Sequence, residues 1–164
     1  MILVPSIPKY SSFFTPKDGG NNSFEENFNG LFNKLIKEYP IDKNRVYIIG
    51  SSNGAGGTWS QLRLHPKRYA AAIPMMGWCD DLSDDYFKSL EDVAVWAVHA
   101  EDDNNVKIGE LGNGLYGSDY LVDGLKKAGN RKIRYSRYNK HGHSAAKIFL
   151  KDEDWYSWLF EQSR

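Results

Sequence analysis

The sequence predicts an α/β fold, a three-layer α/β/α arrangement around a mostly parallel sheet. Three observations carry that prediction. Short apolar or β-branched runs alternate along the chain with segments of helical period. Two of those runs, "RVYIIG" and "VAVWAVHA", are apolar almost throughout, as strands covered on both faces must be. The 164 residues, 41% hydrophobic and 14% aromatic, suffice for one domain over 1–164 with a real core, and no internal repeat breaks them up.

The elements follow in order. "ILV" at 2–4 is strand-like, and the Pro, Ser, Lys and Gly-rich stretch from Pro5 to Ser23 reads as loop. Between Phe24 and Tyr39 the apolar residues Phe28, Leu31, Phe32, Leu35 and Ile36 recur at spacings of three and four, which marks an amphipathic helix that Pro40 ends. "RVYIIG" at 45–50 is a buried strand, followed by a helix over about 54–64 and the apolar run "AAAIPM". The strand "VAVWAVHA" at 93–100, a helix over about 118–128, the strand "KIRYSRY" at 132–138 and a closing helix over about 151–162 complete the chain. Strands alternating with helices imply right-handed crossovers and a sheet covered on both sides.

Composition narrows the function. The 21 basic and 21 acidic residues cancel, so no overall field favours nucleic acid or an acidic membrane surface; a small neutral molecule fits better. Cys79 is the one cysteine, which excludes an internal disulfide framework and cannot alone make a metal site. No apolar stretch approaches the roughly 20 residues that cross a bilayer, and Pro5 and Pro8 interrupt the first ten residues before they could form a signal-peptide core.

The chemistry centres on "GSSNG", Gly50 to Gly54, which matches G-x-S-x-G with Ser52 at the serine position. The string is short; its context strengthens it. It lies where a buried strand ends and a helix begins, and a turn that sharp needs flanking glycines so that no Cβ clashes as the hydroxyl is pushed outward. The helix start contributes a positive dipole end, and the N–H of Asn53 is placed to meet an oxyanion. A serine hydroxyl needs a base and an orienting carboxylate. Asp102 and Asp103 follow the strand "VAVWAVHA", and His141 and His143 follow "KIRYSRY", both at the carboxyl edge where sites of open parallel sheets lie. Each pair leaves two candidates open.

Other residues carry plainer readings. His99 ends an apolar strand and reads as a hydrogen-bonded structural histidine. His65, before Pro66, reads as a dipole partner at a helix C-terminus. "GNGLYG" at 112–117 formally matches G-x-G-x-x-G, yet it follows no strand directly and has no acidic residue about 20 positions on, so it reads as a flexible loop and not a dinucleotide site. Trp78 follows "AAAIPMMG" on the same edge and is either the floor of an aromatic or sugar pocket or packing.

Taken together, "IDKNRVYIIGSSNGAGGTW", "YAAAIPM", "VWAVHAEDDNNV", "LVDGLKKAG", "HGHS" and "WYSWLFEQ" resemble the α/β-hydrolase esterases of the polyhydroxybutyrate-depolymerase and feruloyl-esterase type, from about Ile41 to the end. The resemblance implies Ser52 as nucleophile, Asp103 as acid and His143 as base, with Asp102 a solvated loop carboxylate and His141 a surface residue. It implies hydrolysis of carboxylic esters, acyl or feruloyl esters of carbohydrates among them, with no metal or cofactor. A serine peptidase of the related type and a non-catalytic truncated hydrolase are the alternatives.

Two departures set further expectations. Ser52 is followed by Asn53, Gly54 and Ala55 where the family has S-M-G-G, and nothing in residues 1–40 resembles the family's early strands and the loop that supplies a second oxyanion donor. The resemblance therefore implies a chain lacking the front of the fold, with "ILVP" left unpaired beside the gap. Residues 1–10 are then expected either to shift onto 45–49 or to be held by another chain, so that the protein self-associates, and loss of one donor should cost roughly 10² to 10³ in rate.

Overall fold

The computed structural model describes residues 1–9, 11–18, 23–151 and 154–164. Helix α1 (Ser23–Glu38) opens the regular structure, and Phe24, Phe28 and Phe32 stack along it at i, i+4 spacing, with successive ring centroids 5.4 and 6.5 Å apart. The helix stops just ahead of Pro40, since the residue before a proline is pushed out of the helical region. Strand β1 (Tyr47–Ser51), helix α2 (Asn53–Leu64), strand β2 (Ala71–Met75), helix α3 (Asp84–Ser89) and strand β3 (Ala94–Ala100) follow. A short hairpin of β4 (Glu110–Gly112) and β5 (Leu115–Tyr116) precedes helix α4 (Ser118–Lys127) and strand β6 (Ile133–Tyr138). A 3-10 turn at Gly142–Ser144 leads into α5 (Ala145–Phe149), and α6 (Asp154–Glu161) closes the chain.

The sheet is four-stranded and parallel throughout, in the order β1-β2-β3-β6. The crossover helices α2, α3 and α4 share one face, as same-handed crossovers progressing in one direction require. Side-chain alternation on β3 separates the two cores. Val95 and Ala97 join Trp59 and Leu62 of α2, Phe87 of α3 and Leu121 and Leu125 of α4. Ala94, Val98 and Ala100 join Ala145 and Phe149 of α5 and Trp158 and Leu159 of α6 on the other side. Helices on both faces of a parallel sheet make the three layers expected.

Pro74 sits inside β2, a central strand, although it has no N–H to donate. The ladder accommodates it: β2 pairs with β3 through Ala71, Ala72 and Met75 and skips the residues between. Clustered glycines in α2 have a packing reason too. A Cβ on Gly57 would lie 2.6 Å from Cβ of Phe13 and one on Gly56 would lie 3.1 Å from the Trp78 ring, so their absence lets those residues press onto the helix.

Two expectations are corrected. "ILV" forms no strand: Ile2 and Val4 are 91% and 83% exposed, and among the described residues β1 pairs with β2 alone, so residues 1–9 do not move onto 45–49. Three apolar residues cut off by Pro5 make no strand without a neighbour to hydrogen-bond them. "GNGLYG" is a hairpin instead of a loop. Asn113 at φ 53° and Gly114 at φ 72° form its two-residue turn, both positive as a type I′ turn demands, and Asn-Gly is the pair that tolerates this. Cys79 and Tyr116 exchange backbone hydrogen bonds of 3.0 and 2.8 Å, which dock the hairpin at the carboxyl edge of the sheet. Part of the expected loop (Tyr10, 19–22) and two residues of the expected last helix (152–153) lie outside the described residues. No helix among those described is long and apolar enough to cross a membrane.

Candidate active site

The junction of β1 and α2 places Ser52. Its backbone N–H donates to Met75 O at 2.9 Å, tying the turn to β2, while its C=O accepts from Ala55 and Gly56, the first bonds of α2. Between those anchors Ser52 sits at φ 54°, ψ −118°, a region non-glycine residues avoid at a cost of about 1–3 kcal/mol. A serine at a helix N-cap ordinarily turns its oxygen back to a backbone N–H of the first turn. Here it makes no such bond, and the hydroxyl faces outward.

Gly50 makes this turn possible. A Cβ there would meet Gly54 O at 2.1 Å and Thr58 Oγ1 at 2.6 Å, so strand and helix approach through the space a side chain would fill. At Gly54 a Cβ would meet nothing within 4 Å. Only the first of the two motif glycines answers to a clash.

What the outward hydroxyl meets is His143. The ring Nε2 lies 2.7 Å from Ser52 Oγ, and Nδ1 lies 2.7 Å from Asp103 Oδ2. The carboxylate can only accept, so Nδ1 carries the ring proton, Nε2 is the free base, and the serine hydroxyl donates to it. Asp103 is 4% exposed, and its Oδ1 accepts the backbone N–H groups of Asn105 (2.9 Å) and Val106 (3.0 Å). Those bonds aim Oδ2 at the imidazole.

His99 supports the same loop from below. It is fully buried, and its Nε2 is 2.9 Å from Val106 O, a carbonyl that accepts, so Nε2 is protonated and Nδ1 accepts from Ser118 Oγ at 2.8 Å. Burial holds its pKa below the ordinary imidazole value, which keeps the ring neutral and this arrangement intact. The structural reading of His99 from sequence matches its surroundings; Ser118 as its partner was not anticipated.

Of the paired candidates, His143 meets Ser52 and Asp103 meets His143, while Asp102 and His141 stand outside that line of hydrogen bonds. His141 rests its ring edge-on against Tyr138, with centroids 5.8 Å apart. Asp102 is exposed yet not merely solvated, because its Oδ1 accepts the backbone N–H of Gly142 at 2.7 Å. Asn53 is the first residue of α2, where a backbone N–H has no intrahelical acceptor. Its side chain does something sequence reasoning missed: Oδ1 accepts from Ser12 Oγ and Phe13 N, both at 3.0 Å, clamping residues 12–13 beside the turn. Trp78 packs over Gly56 with its ring 6.1 Å from that of Phe14, on the flank of α2.

His65 differs from its expected part. It does cap α2, but its Nε2 lies 2.7 Å from Glu25 Oε1, pinning α1 to α2. The Cys79 thiol is buried, and burial pushes its pKa up to about 11, so it stays protonated and offers no competing nucleophile. Among the described residues no group of three or more His, Cys, Asp or Glu is placed to hold a metal ion.

A sequence model of the prolyl oligopeptidase family matches residues 15–108. Among solved structures, a thermostable esterase is 32% identical and superposes with a TM-score of 0.79, over 94% of this chain and 41% of that one. SOBER1 of Arabidopsis thaliana is 22% identical (TM-score 0.61, 90% of this chain, 72% of that one). An acylaminoacyl peptidase of Pyrococcus horikoshii is 16% identical (TM-score 0.66, 90% of this chain, 28% of that one); these two likenesses speak to the fold alone. No curated protein matches the chain. The parallel sheet with helices on both faces is the α/β-hydrolase fold, and the chain spans about two-fifths of the length of the thermostable esterase.

Proposed function

The chain belongs to the prolyl oligopeptidase family, and we propose that it is a serine hydrolase acting on carboxylic esters through an acyl-enzyme on Ser52. The observation that carries this reading is the unbroken hydrogen-bonded chain from Ser52 through His143 to Asp103, with its tautomer set by the buried carboxylate. Ser52 Oγ attacks the ester carbonyl carbon as its proton passes to His143 Nε2. The carbonyl oxygen takes the negative charge and lies against the Asn53 N–H at the positive end of α2. Collapse of the tetrahedral intermediate breaks the bond to the alcohol, which leaves with the proton from Nε2. Water then repeats the sequence on the acyl-enzyme, releases the acid and restores Ser52. Asp103 stays ionised, holding the ring and the imidazolium that forms.

The preference for an ester rests on the resemblance in the sequence and on the 32% identity to a thermostable esterase. An acyl or feruloyl ester of a carbohydrate is the finer proposal, and it rests on the sequence resemblance alone. A peptide substrate is the second reading, favoured by the family match. Turnover of p-nitrophenyl esters against chromogenic peptides separates the two.

A fluorophosphonate probe tests the mechanism itself. It should label the wild-type protein on Ser52; Ser52→Ala should abolish labelling, and Ser51→Ala should leave it largely intact. An adduct mapped by mass spectrometry to Ser51, or no adduct at all, overturns the assignment.

A further inference from the structure

Asp102 takes no part in the hydrogen-bonded chain to Ser52, yet it touches the loop that carries His143. That loop leaves β6 through His141 at φ 109° and Gly142 at φ 49°, two consecutive residues with positive φ. A side chain is strained there, and such a conformation persists only where its surroundings hold it. Within the loop, Ser144 N donates to His141 O at 3.0 Å. From outside, Asp102 Oδ1 accepts the N–H of Gly142, one residue before His143, at 2.7 Å.

We infer that Asp102 is a positioning residue for His143. Neighbouring carboxylates on one loop then hold one histidine at two points, Asp103 by its ring and Asp102 by the backbone that carries it. The chain turns directly after β3, closed by Asp103 N donating to Ala100 O at 3.3 Å, and the turn gives the two acids different targets: Asp103 is buried and Asp102 is exposed. The role needs an acceptor oxygen and not a charge, since an exposed charge is largely screened. This inference rests on the hydrolase reading above, in which His143 is the base.

The test compares wild type, Asp102→Ala and Asp102→Asn. Asp102→Ala removes the acceptor, so the rate of fluorophosphonate labelling should fall roughly tenfold through misplacement of the ring, with the loss in kcat and not in KM for a p-nitrophenyl ester. Asp102→Asn keeps an oxygen able to accept and should stay within about threefold of wild type. Exchange of the Gly142 amide proton should quicken in Asp102→Ala and not in Asp102→Asn. Wild-type labelling rates in Asp102→Ala overturn the inference, as do equal losses in the two variants, which would mean the charge matters. If wild type itself does not label, the hydrolase reading has failed; Gly142 exchange then decides the clamp alone, its quickening in Asp102→Ala only supporting the contact and any other pattern overturning it.

Discussion

Replacing Asp103 with asparagine changes one atom, and the structure says where that atom must go. The carboxylate accepts three hydrogen bonds in a buried site, two backbone N–H groups on Oδ1 and His143 Nδ1–H on Oδ2. Asparagine has one oxygen. Turning its amide nitrogen toward Asn105 and Val106 would set donors against two donors, the Val106 bond buried and the Asn105 bond partly so, at roughly 1–3 kcal/mol for a buried group left unsatisfied. Keeping the oxygen there avoids that cost and points the NH₂ at His143. The imidazole must then accept at Nδ1, so its proton moves to Nε2, and Nε2–H faces Ser52 Oγ, unable to take the hydroxyl proton. The fold survives while the base is lost. By serine-protease precedent the wrong tautomer costs on the order of 10⁴ in turnover, about 5.4 kcal/mol at 1.36 kcal/mol per decade. The assay is fluorophosphonate labelling and p-nitrophenyl ester turnover on Asp103→Asn, beside a thermal melt showing a shift of only a few degrees. Activity within tenfold of wild type, in a protein that melts normally, would refute the reasoning.

Gly50→Ala and Gly54→Ala should behave oppositely. The first sets a Cβ 2.1 Å from a backbone oxygen of α2 and should cost about 1–3 kcal/mol in a urea titration, with labelling of Ser52 slowed at least about 100-fold as the turn shifts. The second meets nothing and should be neutral or stabilising by about 0.4–1 kcal/mol. For His99, whose folded pKa lies below the ordinary 6.5, the unfolded chain binds a proton that the folded chain refuses. Its contribution to stability is therefore complete above about pH 6.5 and is lost as pH falls through the folded value. Nitrogen-15 shifts followed against pH should show His99 titrating below the ordinary imidazole value, with the proton of the neutral ring on Nε2; a folded-state titration at or above 6.5 would contradict this.

Much of the fold was legible because burial imposes period. The half-buried α1 stripe of Phe24, Phe28 and Phe32, and the continuous apolar run of β3, record directly which sides turn away from water. The short helices α3 and α5 escaped because five or six residues hold too little period to register. The hairpin escaped for another reason: Asn113-Gly114 is a strong turn signal, but the flanking strands are only three and two residues long. Residues 2–4 form no strand because β-propensity describes fit to a neighbour, and among the described residues none pairs with them.

At the site the division is sharper. The sequence by itself determined that a serine stands between strand and helix, that carboxylates and histidines follow later strand ends, and that all of them reach one edge of the sheet. Those facts are local, because strand direction and period place each loop without knowledge of its neighbours. Which Asp and which His meet the serine is a matter of ångströms, and adjacent or next-but-one positions in a loop look alike in a string of letters. Tertiary structure decided it: Val106 N–H and His99 orient the Asp103 loop, the positive φ of His141 and Gly142 swings His143 and not His141 toward Ser52, and Gly50 lets α2 come close enough to turn the hydroxyl outward. The meeting itself joins distant parts of the chain, His143 standing 40 positions from Asp103 and 91 from Ser52, and hydrogen bonds tolerate errors of only a few tenths of an ångström.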